Sequence, residues 1–225
     1  SDLSETEKQV YEFLKGIVAE TGAAEMSRVE AVKALHDYLV LNLQYDVYFQ
    51  SISYTPEGAM KNKAVVCDGY TKTMNLLLWL VGIECRYISG TANGGDHAWS
   101  LVKMEDGWYH LDVTWDDPLP DVPGRVSYHY FLKNDANMAM DHRWQSDIIC
   151  NGNTYDIYAR IYLEGHVDIT EKIGTYEYTM LSSGSTIDKR LVSNLAPKIA
   201  GYVGGDIYKD AEFNEICGVN TYYVS

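Results

Sequence analysis

The chain is poor in positive charge. Its 32 aspartates and glutamates face only 18 lysines and arginines, a formal net charge of −14. That balance argues against nucleic acid or an anionic membrane surface as partner, and it leaves the fold open. Long apolar runs are missing too. No uninterrupted stretch reaches the roughly 20 residues that cross a bilayer, so no membrane span is expected. Cysteine is scarce: Cys67, Cys85, Cys150 and Cys217 are widely spaced and include no C-x-x-C pair. This excludes zinc-ribbon spacing and a disulfide-stapled scaffold. No EF-hand loop is present, so calcium dependence has no basis, and there is no repeat or low-complexity segment. What remains is a chain of 225 residues, 46% of them hydrophobic. That is enough for one sizeable core and an appendage.

Start and stop signals mark out the first half. Ser4-Glu5-Thr6-Glu7 and Ser27-Arg28-Val29-Glu30 are capping-box patterns. The first precedes an apolar face of Val10, Phe13, Leu14, Ile17 and Val18 and ends at Gly22. The second opens a helix running to about 43, with His36 as a partly buried helix histidine. Thr55-Pro56-Glu57 combines an N-cap, a proline at the first helical position and an acidic first turn. Tyr70, Met74, Leu77, Leu78 and Val81 share one helical face, predicting a helix over 68–81 that stops at Gly82. The pattern then turns strand-like over 84–90, 97–104 and 108–114. Asp106-Gly107 is a two-residue hairpin signal between the last two. Residues 90–95, rich in glycine, read as a flexible loop. A strand over 128–132 and a short helix over 135–140 follow. Residues 155–163 and 176–181 alternate like strands, 188–203 suits a helix broken near Pro197, and 221–224 suits a last strand.

Cys67 falls where an extended apolar run meets the helix N-terminus. Free N–H groups and the positive end of the helix dipole favour a thiolate there. Asp68 works against this, because a neighbouring negative charge favours the thiol. Gly69 reads as backbone room for a substrate. A free cysteine is most often an inert core residue. A nucleophile needs a base, and the base needs an orienting group. Asp112 lies in Trp108-Tyr109-His110-Leu111-Asp112-Val113-Thr114-Trp115-Asp116-Asp117-Pro118, one turn beyond the strand that carries His97.

Val66-Cys67-Asp68-Gly69-Tyr70, His97-Ala98-Trp99 and the segment 108–118 together resemble the three core motifs of the transglutaminase-like superfamily, relatives of papain-type cysteine proteases. The likeness covers about 26–144, including Asp141-His142-Arg143-Trp144. It implies an α+β fold: a nucleophile helix packed on an antiparallel sheet, with N-terminal helices before it. Residues 1–145 would form that catalytic domain, and 146–225 a small C-terminal α+β appendage. It also implies a Cys67–His97–Asp112 triad for acyl transfer on protein or peptide amides, by hydrolysis or transamidation, with hydrolysis favoured by the loop beside His97. The alternative is a non-catalytic or weakly catalytic binding module of this kind for extracellular protein or cell wall. The 19 tyrosines and a first residue Ser1, which fits a removed signal peptide, suit an extracellular or cell-envelope protein of a bacterium.

The remaining site residues are expectations of the same reading. Tyr45, upstream of Cys67, is the candidate second oxyanion donor beside the Cys67 N–H. Trp99 and Trp115 would wall the cleft. A two-residue turn at 106–107 sets Leu101 opposite Asp112 and His97 opposite Asp116. That leaves His97 about 13 Å of strand from the partner of Asp112. Asp116 is then the geometric rival as orienter, although Asp116 and Asp117 read as solvated turn carboxylates. His97, His110 and a carboxylate make a two-histidine, one-carboxylate set. That set leaves Cys67 unexplained, so no metal and no cofactor is expected. Cys67 must be free, Cys85 a small buried strand residue, and Cys150 with Cys217 the one pair considered for a bridge.

Overall fold

The computed structural model describes residues 3–117, 119, 124, 126–152, 154 and 155. The expected elements over 156–225, and Cys217, lie outside the described residues. The elements below belong to one compact unit, Ser1–Val126 with Tyr130–Asp156.

Local sequence signals place the helices. Helix α1 spans Glu5–Thr21, with a complete capping box at Ser4 and Glu7 and a left-handed Gly22 at its end. It buries Leu14 and Ile17. Helix α2, Arg28–Asn42, has the second capping box and buries Val32, Leu35, Leu39 and Val40. Helix α3, Pro56–Lys61, starts at the Thr55 N-cap with proline at N1. Helix α4, Cys67–Leu80, buries Tyr70, Met74, Leu77 and Leu78, the face read from spacing. Each such side chain contributes about 1.5–3 kcal/mol by leaving water. Glycine is required at 69: a Cβ there would lie 2.3 Å from the Ser53 carbonyl oxygen and 2.6 Å from the Val65 Cβ. Gly69 thus serves close packing of α4, not substrate access.

Two short parallel strands, β1 (Gln44–Tyr45) and β2 (Ala64–Val65), pair just before α4. The main sheet has four strands: β3 (Cys85–Ala92), β4 (Gly95–Lys103), β5 (Trp108–Leu111) and β6 (His142–Trp144). Their order is β5-β4-β3-β6, all antiparallel. Helix α4 lies against β4 and β3. Strand β4 is central and buried from His97 to Val102. A second small core of Ile88, Trp99, Leu101, Met138 and Cys150 is covered by Trp108, Tyr130, Trp144 and Ile148. The chain stays bonded to this unit beyond 145. Cys150 N–H donates to Asp135, Thr154 to Asp106, and the Tyr155 hydroxyl to Glu105.

Three sequence expectations are corrected. The 90–95 stretch is not a flexible loop. Strands β3 and β4 run into a two-residue turn at Asn93 and Gly94, both at positive φ (46° and 83°). That is the mirror-image turn matching the twist of a hairpin. Next, the 106–107 turn is longer than two residues. Met104 N–H donates to the Gly107 carbonyl at 2.8 Å, and Lys103, not Glu105, pairs with Trp108. Finally, 128–132 is not a strand. Only Lys133 bridges to His110, and Leu132 sits at φ 49°. Short helices α5 (Val113–Asp116) and α6 (Asp135–Met138), with two 3-10 turns at Ala23–Glu25 and Ser51–Tyr54, complete the described elements.

Candidate active site

The corrected register closes the gap between His97 and Asp112. Ser100 pairs with Leu111, so Asp112 comes level with Trp99, two residues from His97 rather than four. Two residues are about 7 Å of strand. The strand then ends and Asp112 becomes the N-cap of α5, its Oδ1 accepting from the Trp115 N–H at 3.2 Å. That turn swings the other oxygen back, and Oδ2 accepts from His97 Nε2 at 2.6 Å. Asp112 is completely buried. Burial alone would raise its pKa. The charge of His97 and the hydrogen bonds from His142 and His97 outweigh that and hold it at about 2.

His97 shows the complementary effect. Burial disfavours its cation, but the charge of Asp112 and the bond to it, with a smaller contribution from hydrogen bonding to Cys67, carry its pKa up to about 10. With Nε2 committed to Asp112, Nδ1 is the nitrogen left for the thiol. Cys67 is a free, half-exposed thiol at the first position of α4. Two bonds fix its backbone. Val66 N–H donates to the Ser53 carbonyl at 3.0 Å. The Thr71 hydroxyl lies 2.8 Å from the Cys67 carbonyl oxygen and 3.0 Å from that of Ala98. Thr71 thereby ties the nucleophile's turn to the strand carrying His97. The Asp68 carboxylate is offset by Lys72 at 2.8 Å and the Tyr87 hydroxyl at 3.0 Å.

Tyr45 in β1 is half-buried. Burial first, then electrostatics from Cys67, Tyr54 and Asp46, push its phenol pKa up, so its hydroxyl is available as a donor. Trp99 does not wall a cleft. It is buried, stacks on His97 at 5.7 Å and donates its indole N–H to His110 Nδ1 at 2.8 Å. Trp115 is half-exposed, with its ring 5.6 Å from that of His97.

Asp116 and Asp117 are not solvated turn carboxylates. Asp116 is fully buried and accepts from His36 Nε2 at 3.1 Å and from the Tyr130 N–H at 2.8 Å. Asp117 takes the Tyr70 hydroxyl. His36 is likewise fully buried, not partly. Burial lowers its pKa, but bonds and charge from Asp116 and Asp37 carry it to about 9.

His110 turns to Asp135, not to Asp112. Its Nε2 donates to Asp135 Oδ1 at 2.8 Å, and its Nδ1 lone pair already holds the Trp99 N–H. Burial depresses its pKa, so the ring is neutral with its proton on Nε2. Nε2 is therefore a poor ligand, although it shares reach of a common ion with Asp135 and Cys150. Cys85 and Cys150 are also free thiols. Burial pushes them to about 11 and 12. Cys85 is only half-buried.

The residue that sequence reasoning missed is His142. Fully buried on β6, it places Nε2 3.1 Å from Asp112 Oδ2 and Nδ1 2.5 Å from Asp141 Oδ1. The Asp141-His142-Arg143-Trp144 motif was the available signal. Gly90 lets β6 approach, since a Cβ there would sit 2.0 Å from the Arg143 carbonyl oxygen.

A thiol at a helix N-terminus, a histidine on the strand packed against that helix and a buried carboxylate behind it are the kinds of group that can serve as nucleophile, base and orienter. Residues 15–113 match the family model of the transglutaminase-like superfamily. The kyphoscoliosis peptidase of mouse is 24% identical over 162 residues, 63% of this chain and 24% of the mouse protein. The human kyphoscoliosis peptidase is 24% identical over 135 residues, 51% of this chain and 20% of its own length. The chain thus spans about a quarter or less of these relatives. A solved structure described as a TGase is 16% identical with a TM-score of 0.46, covering 50% of this chain and 34% of that one. The fold mixes helices with a four-stranded antiparallel sheet. No described helix is long and apolar enough to cross a membrane.

Proposed function

We propose that the chain is a cysteine acyl-transfer enzyme acting on amide bonds of proteins or peptides. The observation that carries this reading is the His97–Asp112 bond at 2.6 Å, with the Cys67 thiol at the N-terminus of the helix packed against the strand of His97. His97 takes the proton of Cys67. The thiolate attacks the amide carbonyl, and the tetrahedral oxyanion is met by the Cys67 backbone N–H and the Tyr45 hydroxyl. The C–N bond breaks as His97 protonates the departing amine, leaving a thioester on Cys67. Water or a second amine, deprotonated by His97, attacks the thioester and frees the thiol. Asp112 holds the imidazole in its productive orientation and stabilises its cation throughout.

The preference for hydrolysis rested on a flexible glycine loop beside His97. The tight turn at Asn93-Gly94 removes that support, and both acceptors stay within the proposal. The test is a thiol-directed activity probe with mapping of the labelled peptide, then a casein-like protein offered with and without a labelled primary amine. Labelling at Cys67 that requires His97, with cleavage, deamidation or amine incorporation, is the expected result. Intact protein that neither labels at Cys67 nor turns over these substrates would favour the binding-module alternative.

A further inference from the structure

Asp112 Oδ2 accepts from two imidazoles, and the mechanism above uses only one. The second, His142 Nε2 at 3.1 Å, is part of a chain that continues outward. His142 Nδ1 meets Asp141 Oδ1 at 2.5 Å, and Asp141 Oδ2 accepts the Tyr130 hydroxyl at 2.6 Å. The chain runs from a buried carboxylate to one whose side chain is 25% exposed. The rings of Trp99 and Trp115 pack against His142 at 4.9 and 4.6 Å, and that of Tyr130 at 5.3 Å. The ring thus has aromatic neighbours on several sides and a carboxylate at each nitrogen. His97 Nε2, Asp112 Oδ2 and His142 Nε2 lie within 4.8 Å of one another. They face each other as donor, acceptor and donor, which is the geometry of a hydrogen-bonded relay.

We propose that His142 is a positioning residue: anchored by Asp141, it holds the Asp112 carboxylate ionised and aimed at His97, and so sets the acid limit of the Cys67–His97 pair. The proposal rests on the acyl-transfer reading of that pair. A buried carboxylate that loses one of its donors is easier to protonate. Protonated Asp112 no longer stabilises the His97 cation, and the proton returns to the thiolate. The titratable groups facing this relay are Cys67 on α4, His97 on β4, His110 on β5, Asp116 on α5, and Tyr130 and Asp141 on the segment leading into β6. His110 is fixed neutral by its own partners, so His142 is the second donor to Asp112 that can be removed without touching the nucleophile's base.

The experiment is the rate of Cys67 alkylation by iodoacetamide against pH, mapped by mass spectrometry on the full chain, with thermal melts of every variant. The wild type should show an acid limb that disappears in His97→Ala. His142→Phe should move that limb up by about 1 pH unit, a tenfold loss of rate at pH values below it. His142→Gln, whose amide can still donate, should stay near the wild type. Asp141→Asn, at the more exposed end of the relay, should move the limb the same way by less, and it reads the same chain if His142→Phe fails to fold. Folded His142→Phe and Asp141→Asn with wild-type limbs would overturn the role of His142 and leave the pair intact. A wild-type profile that does not depend on His97 would overturn the pair, and this proposal with it.

Discussion

Replacing Asp112 by asparagine isolates the charge from the other duties of the residue. Asparagine has nearly the same size and is an equally good N-cap, so the bond from the Trp115 N–H to the start of α5 survives. What is lost is the anion under His97. In the native protein Asp112 is held near 2, from an ordinary 3.8, while fully buried. That fall, just under two pH units at about 1.36 kcal/mol each, gives a stabilisation of about 2 kcal/mol. The rise of His97 to about 10 describes the same bond from the other partner, so the two are not added. The signs set a window. The lowered Asp112 contributes above its unfolded value near 3.8 and loses its contribution as pH falls through about 2. The raised His97 contributes fully below its unfolded value near 6.5 and loses it as pH rises through about 10. Asp112→Asn should therefore lower stability by about 2 kcal/mol between about pH 4 and 6.5, with a smaller difference outside that range. Turnover should fall on the order of 10⁴-fold, because the amide favours the wrong tautomer and cannot stabilise the imidazolium. Thermal melts from pH 2 to 10, paired with turnover at each pH, make the assay. A variant that folds and turns over like the wild type would refute the orienting role of Asp112. One that loses activity with no change in the pH profile of stability would refute the coupling argument.

Tyr45→Phe should leave the melt unchanged and lower turnover about 10²- to 10³-fold if its hydroxyl meets the oxyanion, as steady-state kinetics would show. Gly69→Ala should destabilise by about 1–3 kcal/mol, because its Cβ has no space against the Ser53 carbonyl and Val65; denaturant titration measures it. The buried His36–Asp116 pair should weaken as pH rises from about 6.5 through the raised value of about 9, and His36→Gln should flatten that alkaline fall in melting temperature. Timed alkylation of native protein should modify Cys67 well before Cys85 or Cys150, whose burial holds them as thiols at about 11 and 12; equal rates would contradict the burial argument.

What was legible in the sequence was local. The Ser4 and Ser27 boxes, Thr55-Pro56 and the spacing over α4 specify helices through caps and periodicity, and the observed ends agree to within a residue or two. Cys67, His97 and Asp112 stood out through motifs. The register was not. Asp-Gly suits a two-residue turn, but here the Met104–Gly107 bond closes a longer connection, and the two-position shift decides which carboxylate reaches His97. Asn93-Gly94 carried an equally strong hairpin signal that was diluted by the glycines around it. The burial of Asp116 and Asp117 arises from α2 and α4, whose His36 and Tyr70 reach them across 80 and 47 positions. No local pattern encodes that. His142 was hidden for the same reason: its partner Asp112 lies 30 residues away.

The edge strand β6 gives the order of assembly a chemical meaning. Cys67, His97 and Asp112 have all left the ribosome well before residue 142. A nascent chain at that stage holds every reacting group, yet Asp112 has one imidazole where the finished protein gives it two. Among the described residues, the last strand of the sheet in chain order is thus the one that gives Asp112 its second imidazole. On the role proposed for His142, a shortened product ending before β6 would keep Cys67, His97 and Asp112 but lose the second donor to Asp112.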